Sequence, residues 1–116
     1  MKPLPKYRHA VIPIEKFLQY ALDPIRGKGK AVAFEKALGY NTKNAEKLIE
    51  NIRAHLGDYD AREKGDKGYG MTYEVLMELT GENGKKAYVL TAWIYDARTD
   101  GPRLTSAYIK TVKEGS

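Results

Sequence analysis

The stretch GMTYEVLMELTGENGKKAYVLTAWIY, Gly70 to Tyr95, decides the fold class of this chain. Its first ten residues alternate apolar and polar side chains, which is typical of a β-strand with one buried face. The apolar positions are Met71, Tyr73, Val75, Met77 and Leu79. Asn83-Gly84 then predicts a hairpin turn, and the apolar run KAYVLTAWIY predicts a central strand. Residues 70–95 therefore predict two neighbouring antiparallel strands.

The stretch PRLTSAYIK, Pro102 to Lys110, follows a second turn and predicts a further strand. Strict alternation divides its side chains between two faces. One face carries Leu104, Ser106, Tyr108 and Lys110, and the other carries Arg103, Thr105, Ala107 and Ile109. A β-bulge would instead turn Arg103 onto the face of Tyr108, so both arrangements stay open.

The first half of the chain has the spacing of helices. Pro13 can begin a helix that ends near Asp23-Pro24, because the residue before a proline avoids the helical region. After the basic loop IRGKGKA, a second helix is predicted from Lys30 to Leu38, with Gly39 as its cap. NTKNAEKLIENIRAHLG, residues 41–57, has one apolar stripe and predicts a third helix.

These elements predict a single α+β domain over residues 1–116, with two to three N-terminal helices packed on one face of a three- to four-stranded antiparallel sheet. We expect a loose leader at 1–13, the helical part at 14–57 and the sheet part at 58–116. The sheet part opens with DYDAREKGDKGYG, which predicts a loop or an irregular first strand. Two or three helices can cover only one face of the sheet, so the other face stays open to water or to a ligand.

Composition narrows the classes of function. The chain has 116 residues, a net charge of +5 and no cysteine, so cysteine catalysis and thiolate metal sites are excluded. With two histidines far apart in sequence, we expect neither a metal site nor a cofactor. No apolar run approaches about 20 residues, so we expect a cytoplasmic protein with no membrane contact. The positive charge favours an anionic partner such as nucleic acid.

The candidate site lies on the last strand. Ser106 and Tyr108 can position a phosphodiester, and Arg103 can stabilise its charge. His9, in the basic leader, is the candidate general acid or base. Further nucleic-acid-binding cations are Lys28, Lys30, Arg98 and Lys110. The structural alternative is that polar residues alternate in any half-exposed strand, where tyrosine is also favoured.

Two long runs carry a resemblance to a known family. HAVIPIEKFLQYALDPIRGKGKAVAFEKALGY and WIYDARTDGPRLTSAYIK resemble the opening and the ending of an uncharacterised bacterial domain family. Its members show a V-I-P-x-E-K helix start, a K-G-x-S-K loop, an L-G-Y helix end and a closing R-L-x-T-A-Y strand. Where relatives often have a histidine near the turn, this chain has Ile25-Arg26.

Domains of that family resemble C-terminal effector modules of bacterial polymorphic toxins and phage-associated proteins. Their layout is similar to the metal-independent ribonuclease fold of barnase, colicin and RelE-type toxins. The resemblance falls on Ser106 and Tyr108, with Arg103 upstream and Lys30 in the loop. It implies RNA as substrate and a cognate immunity or antitoxin protein as partner.

Two hypotheses follow. The first is a metal-independent RNA endonuclease of the toxin-effector type, with His9 as acid or base and Arg103 with Lys30 or Lys110 stabilising charge. The second is a non-catalytic module that binds nucleic acid or a protein through the same face. A role as an immunity or antitoxin protein is a weaker third hypothesis. The net charge of this chain is positive, whereas proteins that mask basic toxins are more often acidic. Convergence of His9, Ser106, Tyr108 and a cation on one point would favour catalysis.

Overall fold

The computed structural model of the protein describes residues 2–98 and 100–111. Met1, Thr99 and residues 112–116, with which the expected sheet part ends, lie outside the described residues. The regular elements are α1 (Gly29–Leu38), α2 (Ala45–His55), β1 (Ala61–Asp66), β2 (Met71–Thr80), β3 (Lys86–Tyr95) and β4 (Arg103–Lys110). The four strands form one antiparallel sheet in the order β1-β2-β3-β4. The predicted α+β fold is confirmed.

Both helices pack on the same face of the sheet. Leu48 and Ile52 of α2 and Phe34 of α1 are fully buried in one cluster with Val75 of β2 and Trp93 of β3. Within this core, the Trp93 indole N–H donates to the Thr91 hydroxyl at 2.8 Å. That hydroxyl donates to the Val75 carbonyl at 2.9 Å, so the polar groups of the core satisfy one another.

Asparagine and glycine set the bounds of the helices. The Asn41 side chain accepts from the Lys43 N–H at 2.8 Å, and a short 3-10 turn, Thr42–Asn44, precedes α2. The predicted helix over 41–57 is therefore α2 with a 3-10 turn at each end. Gly39 ends α1 with a φ of 76°, a left-handed conformation that suits glycine.

The predicted first helix is present as a short π-helix, whose turn is wider than that of an α-helix. Phe17–Ala21 forms a single π-helical turn, in which the Leu22 N–H donates to the Phe17 carbonyl at 2.8 Å. Gly27 then packs against this turn, because a Cβ there would lie 2.1 Å from the Tyr20 carbonyl oxygen. The turn and the loop before α1 are thus held together by backbone contact.

Residues 2–12, expected to be loose, pack against the sheet. Leu4 is fully buried in the core. The Val11 N–H donates to the Pro102 carbonyl at 2.8 Å, and the Leu104 N–H donates to the Val11 carbonyl at 2.9 Å. The Tyr95 hydroxyl donates to the Pro5 carbonyl. The segment forms one short 3-10 helix, Tyr7–His9, and a single bridge from Val11 to Arg103, and its apolar side chains pack into the core.

A β-bulge shapes β4. Ser106 pairs with Ala92 and Leu104 pairs with Trp93, so Thr105 is the extra residue. The Thr105 hydroxyl donates to the Ala92 carbonyl at 3.2 Å. The assignment from strict alternation was therefore wrong for Arg103 and Leu104. The bulge places Arg103 on the open face with Ser106, whereas Leu104 is fully buried.

No helix within residues 2–98 and 100–111 has the length and apolar character needed to cross a membrane.

Candidate functional site

A hollow of about 200 Å³ lies where the edge of β4 meets the helical layer. We call it the Lys–Tyr hollow; its lining residues are Lys16, Tyr20, Ala21, Lys30, Thr105, Ser106 and Ala107. Two lysines and a serine thus line one space. None of these described lining residues is acidic, so the hollow suits an anion.

Each lysine of the hollow lies over a tyrosine ring. The Lys30 Nζ is 5.5 Å from the centroid of the Tyr108 ring, and the Lys16 Nζ is 5.8 Å from that of Tyr20. Both distances are within the range of cation–π attraction. Neither ammonium forms a salt bridge within the described part of the chain. The rings orient the lysines, and the ammonium N–H donors stay available to a ligand.

The loop that delivers Lys30 carries backbone strain. Lys28 has φ 38° and ψ −112°, a conformation that residues with a Cβ rarely adopt. The Gly27 N–H donates to the Asp23 carbonyl at 2.7 Å, and the Lys30 N–H donates to the Gly27 carbonyl at 2.8 Å. These bonds hold Lys28 in its strained geometry. Strain of this kind concentrates at functional sites.

A second basic cluster, the Asp96 cluster, lies at the turn between β3 and β4. The Arg98 and Arg103 guanidinium groups donate to one Asp96 oxygen at 2.8 Å and 2.7 Å. The Arg98 backbone N–H donates to the other oxygen at 2.9 Å. The hydrogen bonds from Arg98 and then Arg103 hold the pKa of Asp96 well below its usual range. Arg103 is 19% exposed and closes this turn.

His9 lies apart from the Lys–Tyr hollow. Its Nδ1 is 3.6 Å from an Asp100 oxygen, and its side chain is 63% exposed. Its backbone carbonyl packs against Gly101, where a Cβ would lie 2.6 Å from the His9 oxygen. In the described structure, no hydrogen bond or ion pair joins His9 to Ser106.

The structure therefore brings together only some of the predicted site residues. Lys30 and Ser106 line the Lys–Tyr hollow, and the Tyr108 ring lies against Lys30 at its edge. Lys28 lies in the loop that precedes Lys30. Lys110 is exposed at the end of β4, where it lines a different cavity on the open sheet face. Arg98, Arg103 and His9 pair with Asp96 or Asp100.

Two residues of the hollow were not predicted from sequence. Lys16 and Tyr20 come from the π-helical region, and nothing in their types distinguishes them from a solvated helix face. Their separation of four residues does place them side by side on a helix, which was the available clue. Tyr20 is 53% exposed, so about half of its surface can meet a ligand.

The lysines and tyrosine rings of the Lys–Tyr hollow suit a ligand that is an anion and also carries aromatic rings. Within residues 2–98 and 100–111, no group of three or more histidine, aspartate or glutamate side chains could hold a metal ion.

Comparison with protein families assigns this α+β domain to a family. The chain belongs to the family of the Domain of unknown function (DUF6883), whose model matches residues 3–111. The prediction that it belongs to a family of uncharacterised domains is thus confirmed, and the match covers the helices, the sheet and the hollow. No curated protein and no solved structure matches the chain.

Proposed function

We propose that this protein binds single-stranded RNA through the Lys–Tyr hollow. The observation that carries the proposal is the pair of lysines, each held over a tyrosine ring, that line one hollow together with Ser106. Binders of single strands combine cations that follow the phosphates with aromatic rings that stack bases. The net charge of +5 supports the proposal, because it draws polyanions to the surface.

The groups at the hollow match the parts of a nucleotide. The Lys16 and Lys30 ammonium groups and the Ser106 hydroxyl are hydrogen-bond donors suited to phosphate oxygens. Tyr20 and Tyr108 supply rings for a base or a ribose. Because the lining residues include no carboxylate, a phosphate there meets no like charge from the walls.

Cleavage would need more than the hollow supplies. An endonuclease of this type needs a base at the ribose 2′-hydroxyl and an acid at the leaving oxygen. The lining residues of the hollow include no histidine and no carboxylate, the side chains that most often act as general acid and base. The candidate acid or base, His9, is at Asp100 instead. The toxin-type endonuclease and its immunity or antitoxin partner stay predictions, and binding is the function that these contacts support best.

The test is the affinity for a fluorescently labelled single-stranded RNA, measured by anisotropy at several salt concentrations. Lys30→Gln should weaken binding and lower the salt slope by about 0.7, the share of one phosphate contact on a single strand. Lys36→Gln, an exposed lysine at the other end of α1, is the charge-matched control and should leave the slope near that of the wild type. Equal behaviour of the two variants would overturn the proposal.

A second experiment with the same RNA tests the endonuclease hypothesis. RNA incubated with the protein in EDTA is resolved on a denaturing gel, with Ser106→Ala and Tyr108→Phe beside the wild type. Cleavage to 2′,3′-cyclic phosphate ends that either variant abolishes would favour catalysis at β4. Intact RNA with retained binding would favour the binding module.

A further inference from the structure

We infer that the bound strand continues from the Lys–Tyr hollow across the open face of the sheet and ends at the lysines of the hairpin between β1 and β2. We call this path the cross-sheet track, and it rests on the proposed function. Three observations carry it: a row of opposed residues across the strands that begins with two small side chains, a second cavity that shares the bulge residue with the hollow, and positive charge without an ion pair among the described residues at the far end.

The floor of the track is a row set by the strand register. Ser106 pairs with Ala92, Ala92 with Glu74, and Glu74 with Arg62. Directly opposed residues are neighbours on one sheet face, so these four form a line at right angles to the strands. Its first two members have small side chains. A strand of nucleic acid can therefore lie close to the sheet there.

Larger side chains border this row on both sides. One neighbouring row is Tyr108, Leu90 and Leu76, and the other is Arg103, Ile94 and Thr72. The row of Ser106 and Ala92 is thus a trough between two ridges. The bulge makes the second ridge, because it turns Arg103 to this face, and the trough begins at the Tyr108 ring under Lys30.

A second cavity lies along this trough, on the other side of the bulge residue from the hollow. It measures about 170 Å³, and its lining includes Lys64, Lys67, Thr72, Glu74, Ala92 and Thr105. Thr105 also lines the Lys–Tyr hollow, so the bulge residue borders both cavities. From β4 to β1 the path crosses three strand spacings, or about 14 Å.

The far end of the track is positively charged and carries an exposed ring. Lys67 forms no ion pair within the described part of the chain, whereas Lys64 lies 3.9 Å from a Glu74 oxygen. Tyr69, at the tip of the same hairpin, is 83% exposed and can stack a base. Glu74 is the acidic member of the floor, and a phosphate that passes over it is repelled.

This carboxylate makes the track testable, because its removal should strengthen binding. Glu74→Gln is compared with Glu50→Gln, which makes the same charge change on the exposed side of α2, in the opposite layer. With RNA of about ten nucleotides, the Glu74 variant should bind roughly two- to fivefold more tightly than the Glu50 variant. Lys67→Gln should bind that RNA more weakly than Lys36→Gln does, and should bind a dinucleotide as the wild type does.

Failure of the track and failure of the proposed function give different results. If Lys30→Gln weakens binding while Glu74→Gln equals Glu50→Gln, or Lys67→Gln equals Lys36→Gln, the hollow binds RNA and the track is overturned. If Lys30→Gln changes nothing, the proposed function itself is overturned. Thermal melting of each variant shows that the fold is intact.

Discussion

The two basic clusters beside β4 differ in what their cations contact. In the Asp96 cluster, Arg98 and Arg103 donate to a carboxylate of the same chain. In the Lys–Tyr hollow, Lys16 and Lys30 lie over rings and form no salt bridge within the described residues. Since a carboxylate uses up donors and charge whereas a ring leaves most donors available, the first cluster is suited to holding the fold and the second to holding a ligand.

The comparison also shows why residue type is a poor guide to function in this chain. The arginines of the closing strand and its turn match the expectation for a phosphate clamp better than the lysines do, because arginine binds phosphate with two donors at once. Both arginines, however, pair with Asp96, which occupies their donors. The partners of a cation, rather than its type, indicate whether it is available.

The largest effect is expected from breaking the Asp96 cluster. Arg103→Leu leaves Asp96 with the exposed Arg98 alone. It also removes the hydrogen bond that joins the end of β3 to the start of β4. Thermal unfolding should shift down by several degrees. RNA affinity should change no more than in Lys36→Gln. A variant with unchanged melting and a loss of affinity like that of Lys30→Gln would reverse the roles of the two clusters.

The pH dependence of stability should come from the Asp96 cluster. The pKa of Asp96 is lowered in the folded state, so its contribution is present above the unfolded value of about 4 and is lost as pH falls through the folded value. Urea unfolding from about pH 6 down to about pH 2 should show this decline. Asp96→Asn should be less stable near neutrality and flatter in acid. A curve parallel to that of the wild type would contradict the assignment.

A smaller effect is expected at the strained loop of the hollow. Lys28→Gly relieves the positive φ and should raise the free energy of unfolding by about 1 kcal/mol. It also removes a cation beside Lys30, so RNA affinity should fall. Chemical denaturation and anisotropy on the same preparation measure both. Gly29→Ala, placed where a Cβ meets nothing within 4 Å, is a control that leaves the charge in place.

The smallest effect is expected from removing the Tyr108 hydroxyl. Tyr108→Phe keeps the ring under Lys30, so RNA affinity should stay within about twofold of the wild type. Tyr108→Ala removes the ring and should lose more. A Phe variant as weak as the Ala variant would show that the hydroxyl, rather than the ring, makes the contact.

Local patterns predicted the sheet and the helix ends. The alternation over Met71–Thr80, the Asn83-Gly84 turn and the Gly39 cap all depend on near neighbours in sequence, and the structure contains each of them. Burial of Leu4 could not be predicted in the same way, because it depends on contacts with residues far along the chain.

The site was less predictable for two physical reasons. Serine and threonine fit a strand equally well on either face, so no local preference indicates that Thr105 is the bulge. The hollow itself joins three separate segments, those of Lys16, Lys30 and Ser106. Ser106 and Lys30 could be proposed from their neighbours in sequence, but their meeting with Lys16 is a tertiary contact.

The most direct test of the account compares the two clusters by the salt dependence of RNA binding. The double variant Lys16→Gln/Lys30→Gln should lower the salt slope by about 1.4, or two phosphate contacts on a single strand. Arg98→Gln/Lys36→Gln makes the same charge change outside the hollow and should keep the wild-type slope. Equal loss in the two double variants would show that RNA senses only the net charge, and would contradict a binding site at the Lys–Tyr hollow.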